Sequence, residues 1–308
     1  MMKSLAAFAM RSPVKAVLVI VGLAVASLLF FPLSWPLSYF SAGVVALVVL
    51  SQGSRDSVLI VAGATALLAA AAMLLGSGQI GIGYALSIWL PTWLTAQWLK
   101  QSHSLGQTLL LVGLVGLAGI LVMFLLMGNP TQWWGQYFEQ QVIPALKQAG
   151  VEFPDEAAFR TALQQMAGLM TGILMASLVL SASIGIVIGR YWQSLLFQAG
   201  FGQEFRQLRL GTLAAGVGLL IVGLSQFVGG RTGEWLVDAA IVVIAVFLFQ
   251  GLAIGHQLAS RVQSGQVWIV TLYILLFFTM PYGAVVIATL GMLDNWIDIR
   301  RRFPGAAG

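Results

Sequence analysis

The sequence predicts an all-α, polytopic transmembrane helical bundle of about 8–10 spans, and three observations carry that prediction. First, 59% of the 308 residues are hydrophobic and only 8% are charged, against roughly 25% charged in a soluble domain. So few charges cannot cover a water-facing surface. Second, apolar runs recur from Val14 to Leu293 with charges confined to the gaps, at the length that hydrocarbon requires of a helix. Third, stretches such as Leu109–Met127 and Ala239–Phe249 are apolar on every face, whereas membrane-barrel strands alternate apolar and polar residues. Hydrocarbon offers backbone groups no partners, so with a barrel set aside the spans must be helices.

In chain order the spans are expected at 14–31, 36–51, 57–76, 79–99, 105–127, 163–189, 210–228 and 235–256, with a last apolar stretch at 266–293. Lys3, Arg11 and Lys15 precede the first, and Ala24-Val25-Ala26 mimics a signal-peptidase site. The apolar run continues past it through Phe31, so an uncleaved first span is expected. Pro32 and Pro36 frame the start of the second, which is short enough to suggest a tight hairpin in place of two full crossings. The whole of 1–308 reads as a single integral membrane domain.

Orientation follows from counting lysine and arginine by loop. With the amino terminus cytoplasmic, 12 of the 15 basic residues lie inside, leaving only Lys147, Arg160 and Arg231 outside. The carboxyl terminus then also lies inside, which requires an even number of crossings, while nine apolar stretches are counted. The last is the one to divide: Met280-Pro281-Tyr282-Gly283 interrupts it with a residue lacking a donor and one that permits a turn. One long proline-kinked helix is the alternative.

Two segments outside the spans carry amphipathic patterns. An acidic external insertion covers 129–164, in which Trp134, Phe138, Val142 and Ala145 follow helical spacing over 131–149. Asp155 after Pro154 is placed to cap a helix that runs straight on into the sixth span. The basic loop 190–209 is cytoplasmic in this topology.

Zero cysteines and two distant histidines, His103 and His256, exclude thiolate and multi-histidine metal centres. No metal or other cofactor is expected. A net charge of +5 could suggest nucleic acid, but the basic residues are dispersed between apolar runs and topology explains them. Gly76-Ser77-Gly78-Gln79-Ile80-Gly81 spells the dinucleotide-binding pattern, yet it joins two spans with no strand before it and no acid about twenty residues on. It reads as a loop. With no P-loop sequence and no nucleophile–histidine set, no catalytic residues are expected and the chain is read as a non-enzyme.

The remaining candidates are few. Trp89 and Trp93 flank Pro91 in the fourth span and could line a ligand pocket or simply pack. Gly185 with Gly189, and Gly251 with Gly255, form G-x-x-x-G pairs, and Gly113, Gly116 and Gly119 add a stripe. Such faces serve close helix packing within the chain or an interface with a partner. Glu234, Asp238, Gln226 and Gln250 are the ionisable or polar groups nearest to membrane depth. The densest charge lies in Asp294, Asp298, Arg300, Arg301 and Arg302, read either as an interfacial anchor or as a docking site for a cytoplasmic partner.

The order of these features resembles the YybS-like family of bacterial multi-pass membrane proteins. The residues that carry the resemblance are Pro32-Leu33-Ser34-Trp35-Pro36 after the first span, close-set early spans ending at Lys100, the acidic segment before the sixth span, and Leu290-Gly291-Met292-Leu293-Asp294-Asn295-Trp296-Ile297-Asp298-Ile299-Arg300-Arg301. That family is distantly similar to the substrate-binding subunits of energy-coupling-factor vitamin transporters and to the rod-shape protein MreD. The resemblance implies a bacterial cytoplasmic membrane and a small-molecule binding or transport subunit; the alternative is a non-transporting scaffold that recruits cytoplasmic or cell-envelope assembly partners. The expected partners are the lipid bilayer, a small-molecule ligand, and a membrane or cytoplasmic protein.

Overall fold

The computed structural model describes residues 2–30, 33–74, 76, 78–197 and 199–302. Pro32 and Ser77 therefore lie outside the described residues. The helices are α1 (Met2–Ala9), α2 (Pro13–Leu29), α3 (Ser34–Ser51), α4 (Ser54–Leu74), α5 (Gly78–Tyr84), α6 (Leu90–Ser102), α7 (Leu105–Met127), α8 (Pro130–Tyr137), α9 (Ile143–Gln148), α10 (Glu156–Ala167), α11 (Met170–Leu196), α12 (Phe201–Arg206), α13 (Thr212–Leu224), α14 (Gly230–Ala259), α15 (Gly265–Thr279), α16 (Tyr282–Ile297) and α17 (Ile299–Arg302). No strand occurs among the described residues. The protein is an all-α helical bundle.

Five helices, α3, α4, α7, α11 and α14, are long and apolar enough to cross a membrane, and α2, α13, α15 and α16 are shorter apolar helices. What they present outward is as telling as their length. Leu74, Leu126, Leu213, Phe227 and Phe278 are each 79–89% exposed, and α15 buries none of its residues. Apolar exposure on this scale would aggregate in water. Lipid is the solvent that suits it, and the chain is an integral membrane protein.

Local sequence sets the helix ends. Ser12 before Pro13 and Asn129 before Pro130 use one device: the side-chain oxygen accepts from the third residue on, Lys15 N at 3.3 Å and Gln132 N at 3.1 Å, while proline occupies the first turn, where its missing donor costs nothing. Asp155 caps α10 in the same way, accepting from Ala158 N at 2.9 Å. That helix does not continue into the sixth span, because Gly168 and Leu169 break the path before α11. The span itself is displaced from 163–189 to 170–196, since Tyr191, Trp192, Leu195 and Leu196 prolong the apolar pattern past Arg190. The first two expected spans are continuous helices of 17 and 18 residues that pack closely on one another.

Two π-helical turns, Ala85–Trp89 and Phe138–Val142, share a cause. Each ends two residues before a proline, Pro91 or Pro144. The proline ring cannot pass the carbonyl four residues back, so the helix widens and the preceding residue bonds five back, Leu90 N to Ala85 O and Ile143 N to Phe138 O. The helical path from 78 to 102 thus stays continuous, and so does that from 130 to 148.

The chain divides into two compact units, Met1–Val112 with Leu178–Leu208 and Gly113–Ser177 with Arg209–Gly308. In the first, α2 and α3 pair closely and α4 and α6 pack against them. Its core gathers Ile20, Val44, Leu47, Leu68, Trp89 and Trp192. Gly81, inside α5, lets that helix lie close against α4: a Cβ there would stand 2.7 Å from the Ala69 Cα. The glycine-rich run at 76–81 is thereby a junction of two helices.

In the second unit α14 is the central helix, 78% buried over its apolar window, with α13, α15 and α16 against it. The last apolar stretch is divided, α15 ending at Thr279 and α16 beginning at Tyr282, with a cis peptide between Met280 and Pro281. Arg261 Nη1 donates to the Arg300 carbonyl at 2.6 Å. The chain therefore returns, after α15 and α16, to the level it left at the end of α14. That closes a helical hairpin and makes the long-helix alternative untenable.

Candidate functional site

Trp89 is fully buried and its Nε1 donates to Ser41 Oγ at 2.9 Å, which donates in turn to the Ile20 carbonyl at 2.9 Å. Tyr84 meets the indole edge-on and shares a hydrogen bond with Ser27 at 3.1 Å. This indole is a core hydrogen-bond hub tying α2 and α3 to the helical path that leads into α6. Trp93 donates to Ser57 Oγ at 3.2 Å and lines a lateral groove of about 560 Å³ with Val61, Ala66, Ile82, Leu86 and Leu90. The groove is apolar and open.

The glycine pairs stand at close helix approaches. Within the first unit, a Cβ on Gly185 would lie 2.8 Å from Ala42 Cβ and 3.1 Å from Thr92 Cγ2, and one on Gly189 would lie 2.9 Å from the Gly43 carbonyl oxygen. In the second unit Gly251 faces the Ile287 backbone and Gly255 the Leu272 side chain, while Gly113 faces Val246.

In the second unit Lys147, Glu156, Arg160 and Glu139 form one ion-pair network within the 129–164 segment, and other charged residues stand at the two ends of α14. At its amino-terminal end Glu234 accepts from Thr131 Oγ1 at 2.9 Å, Trp134 Nε1 donates to Thr171 Oγ1 at 3.1 Å, and Asp238 accepts from Gly172 N at 2.8 Å. Asp238 is thus a helix cap supplied from a neighbouring helix, holding one of the donors that the start of α11 leaves open. Gly172 lets it approach, since a Cβ there would meet the Asp238 Cα at 2.7 Å. At the other end Gln250 Oε1 accepts from Leu210 N at 2.8 Å.

That second end also holds the carboxyl-terminal charges. Asp294 is fully buried and pairs with Arg300 at 3.0 Å, itself 7% exposed at the side chain. Burial pulls the Arg300 guanidinium below the ordinary arginine range and the Asp294 carboxylate works against that. Asp298 joins Arg209 at 2.5 Å and Arg301 at 3.0 Å. Of the five residues expected at a docking site, Asp294 and Arg300 are turned inward, and Arg301 and Arg302 are exposed.

A feature that the sequence did not single out lies in the first unit. Lys100, His103, Arg190, Gln193 and Glu204, with Leu50 and Leu99, line a cavity of about 430 Å³. It forms around the carboxyl end of α3, whose last carbonyls lack intrahelical donors and carry the negative pole of the helix. Lys100 Nζ answers this by donating to Val49 O at 3.2 Å and to Gln52 O, and Gln193 Nε2 donates to Leu50 O at 3.0 Å. Arg190 binds Glu204 through Nε at 3.0 Å and Nη2 at 2.9 Å, and Gln193 Oε1 through Nη1 at 2.8 Å. Glu204 belongs to α12, whose Phe201 and Phe205 are buried with Tyr191 beside Phe201. Three residues from separate parts of the sequence, Lys100, Arg190 and Glu204, thus meet at one polar site in a chain with 25 charged residues, 15 basic and 10 acidic. One signal was available: Glu204 is the lone acid in the basic loop 190–209, a position that asks for a partner.

The chain matches no protein-family model, no curated protein and no solved structure.

Proposed function

We propose that this chain is a small-molecule binding or transport subunit of a bacterial cytoplasmic membrane, with the cavity around Arg190 as its binding site. The observation that supports this is the cavity itself: concave, polar, and built from several of the chain's few charged groups, as binding sites are. The resemblance to the YybS-like family, and through it to energy-coupling-factor substrate-binding subunits, points to the same class. The scaffold alternative needs loop 190–209 and the tail as free docking surfaces. Phe201, Phe205 and Leu208 are buried, and Asp294 and Arg300 hold each other. The cavity is the stronger candidate.

Mass spectrometry of material purified in mild detergent tests this. A small molecule retained near stoichiometry by the parent and lost from Leu50→Trp, which fills the cavity, is the expected result. A stoichiometric protein partner with no small molecule would overturn it in favour of the scaffold.

The proposed topology has both termini in the cytoplasm. The five long helices, the four shorter ones and the continuous 78–102 path make ten passages, an even number that returns the chain to its starting side. Reporter fusions after Arg302 and within 145–155 should report opposite sides of the membrane. An external carboxyl end would sink this sidedness.

A further inference from the structure

The cavity's unspent hydrogen-bond donors indicate what it would hold, taking the binding role proposed above as given. Lys100 carries three N–H groups and commits two to the end of α3. Arg190 carries five and commits three, to Glu204 and Gln193. The Gln193 amide is engaged at both its atoms, Oε1 accepting from Arg190 and Nε2 donating to the Leu50 carbonyl. The lining therefore keeps donors in surplus. Lys100 and Arg190 supply two positive charges and Glu204 one negative, a net of +1 before His103 is counted, and Glu204 is the one acid lining the cavity among the described residues. The negative pole of α3 offsets part of that charge, but its carbonyls are already covered by Lys100 and Gln193.

We infer that this cavity binds a small oxyanion, a carboxylate or phosphate group, on the remaining N–H groups of Arg190 and Lys100, with Glu204 as the resident counter-ion that the ligand displaces. Arginine's planar fork suits the exchange, because Nε and Nη2 now converge on one Glu204 oxygen, Oε2, and an oxygen of another oxyanion can take its place. Glu204 sits on a short helix that begins just after Gly200, whose φ of 128° only glycine adopts easily. That is a natural place for the segment to swing when its ion pair is broken.

The probe is inorganic phosphate, titrated against the lipid-stripped full chain in neutral detergent at constant ionic strength, with thermal melting as readout. The parent should be stabilised at millimolar phosphate, and less so as sodium chloride is raised, as screening requires. Glu204→Gln removes the competing charge and should tighten phosphate binding about tenfold. A purely structural ion pair makes the opposite forecast, an unchanged or weaker response. Arg190→Gln should abolish the response. Because that variant strands Glu204, the same loss is read in Arg190→Gln with Glu204→Gln, where no charge is orphaned. A second arm reconstitutes the chain in nanodiscs of phosphatidylglycerol or of phosphatidylcholine. Retention of phosphatidylglycerol that Glu204→Gln strengthens, with no effect of free phosphate, would assign the oxyanion to a lipid headgroup. No response to either source, or none altered by Glu204→Gln, overturns the inference. Co-purification of a neutral or cationic molecule would overturn it too, while leaving the binding role intact.

Discussion

Replacing Gly251 with leucine is expected to destabilise the second unit by roughly 1–3 kcal/mol, the range for forcing extra methylenes into a close-packed contact. The reason is backbone approach. A Cβ on Gly251 would strike the Ile287 carbonyl, and across the same contact a Cβ on Gly291 would stand 2.7 Å from Phe247 O and 2.8 Å from Gly251 N. Each glycine thus leaves room for the other helix's main chain, as small residues do where membrane helices cross. Side chains can turn aside; carbonyls in a helix cannot. Even Gly251→Ala should lose stability, although alanine is the better helix former by about 1 kcal/mol. Gly223 in α13 is the control: a Cβ added there would meet nothing within 4 Å, so Gly223→Ala should be neutral or mildly stabilising. Melting of purified variants in one detergent is the measurement. Equal melting of Gly251→Leu and parent would show that this contact can yield at no cost.

The helices were legible because lipid removes the ambiguity that troubles soluble sequences. An apolar run near twenty residues has one stable backbone solution, and α7 falls at 105–127 as its composition predicts. The break expected in the last stretch falls at Met280 and Pro281, where hydropathy alone is continuous. Boundaries failed where a span meets an amphipathic neighbour: Leu163 and Ala167 belong to a small separate core with Phe138 and Ile143, so the apolar pattern runs on across a break that only Gly168 hints at. The π-helical turns were signalled by Pro91 and Pro144, but a widened turn and a kink look alike in sequence. The helix α1 is hard to read because eight residues hold too short a pattern, although Ala6 and Ala9 are buried.

The site was less legible than the fold. Trp89 and Trp93 stand out as aromatics near a proline, yet what they do is decided by Ser41 and Ser57, serines in other helices that nothing in the sequence connects to them. Lys100 and Arg190 read in sequence only as topology markers. A residue's charge sets its side of the membrane and its site chemistry at once, and the first is readable one loop at a time. The second depends on α3, α6, α11 and α12 ending together, which is tertiary information.

The carboxyl-terminal ion pair carries the largest expected effect. Arg300→Met is expected to cost about 3–5 kcal/mol, because it abandons Asp294, fully buried, without a counter-ion. The loss belongs to the orphaned charge and not to the pair. Accordingly Arg300→Met combined with Asp294→Leu should recover most of it, since a buried pair is often no more stable than apolar residues of similar volume. Asp298 behaves differently. Its partners Arg209 and Arg301 are 44% and 88% exposed at the side chain, so Asp298→Asn should cost no more than about 1 kcal/mol. Asparagine also tolerates the left-handed backbone at this position, φ 50°, so the change tests charge alone. Equilibrium unfolding of the parent and these three variants in a mixed-micelle titration separates these cases. A double variant no more stable than Arg300→Met alone would mean that the loss does not come from the stranded Asp294 charge. Full recovery would show that the cost lies in the stranded Asp294 charge and that apolar packing holds the tail as well as the pair does, leaving the exposed Arg301 and Arg302 as the part of the tail that can meet a membrane surface or a partner.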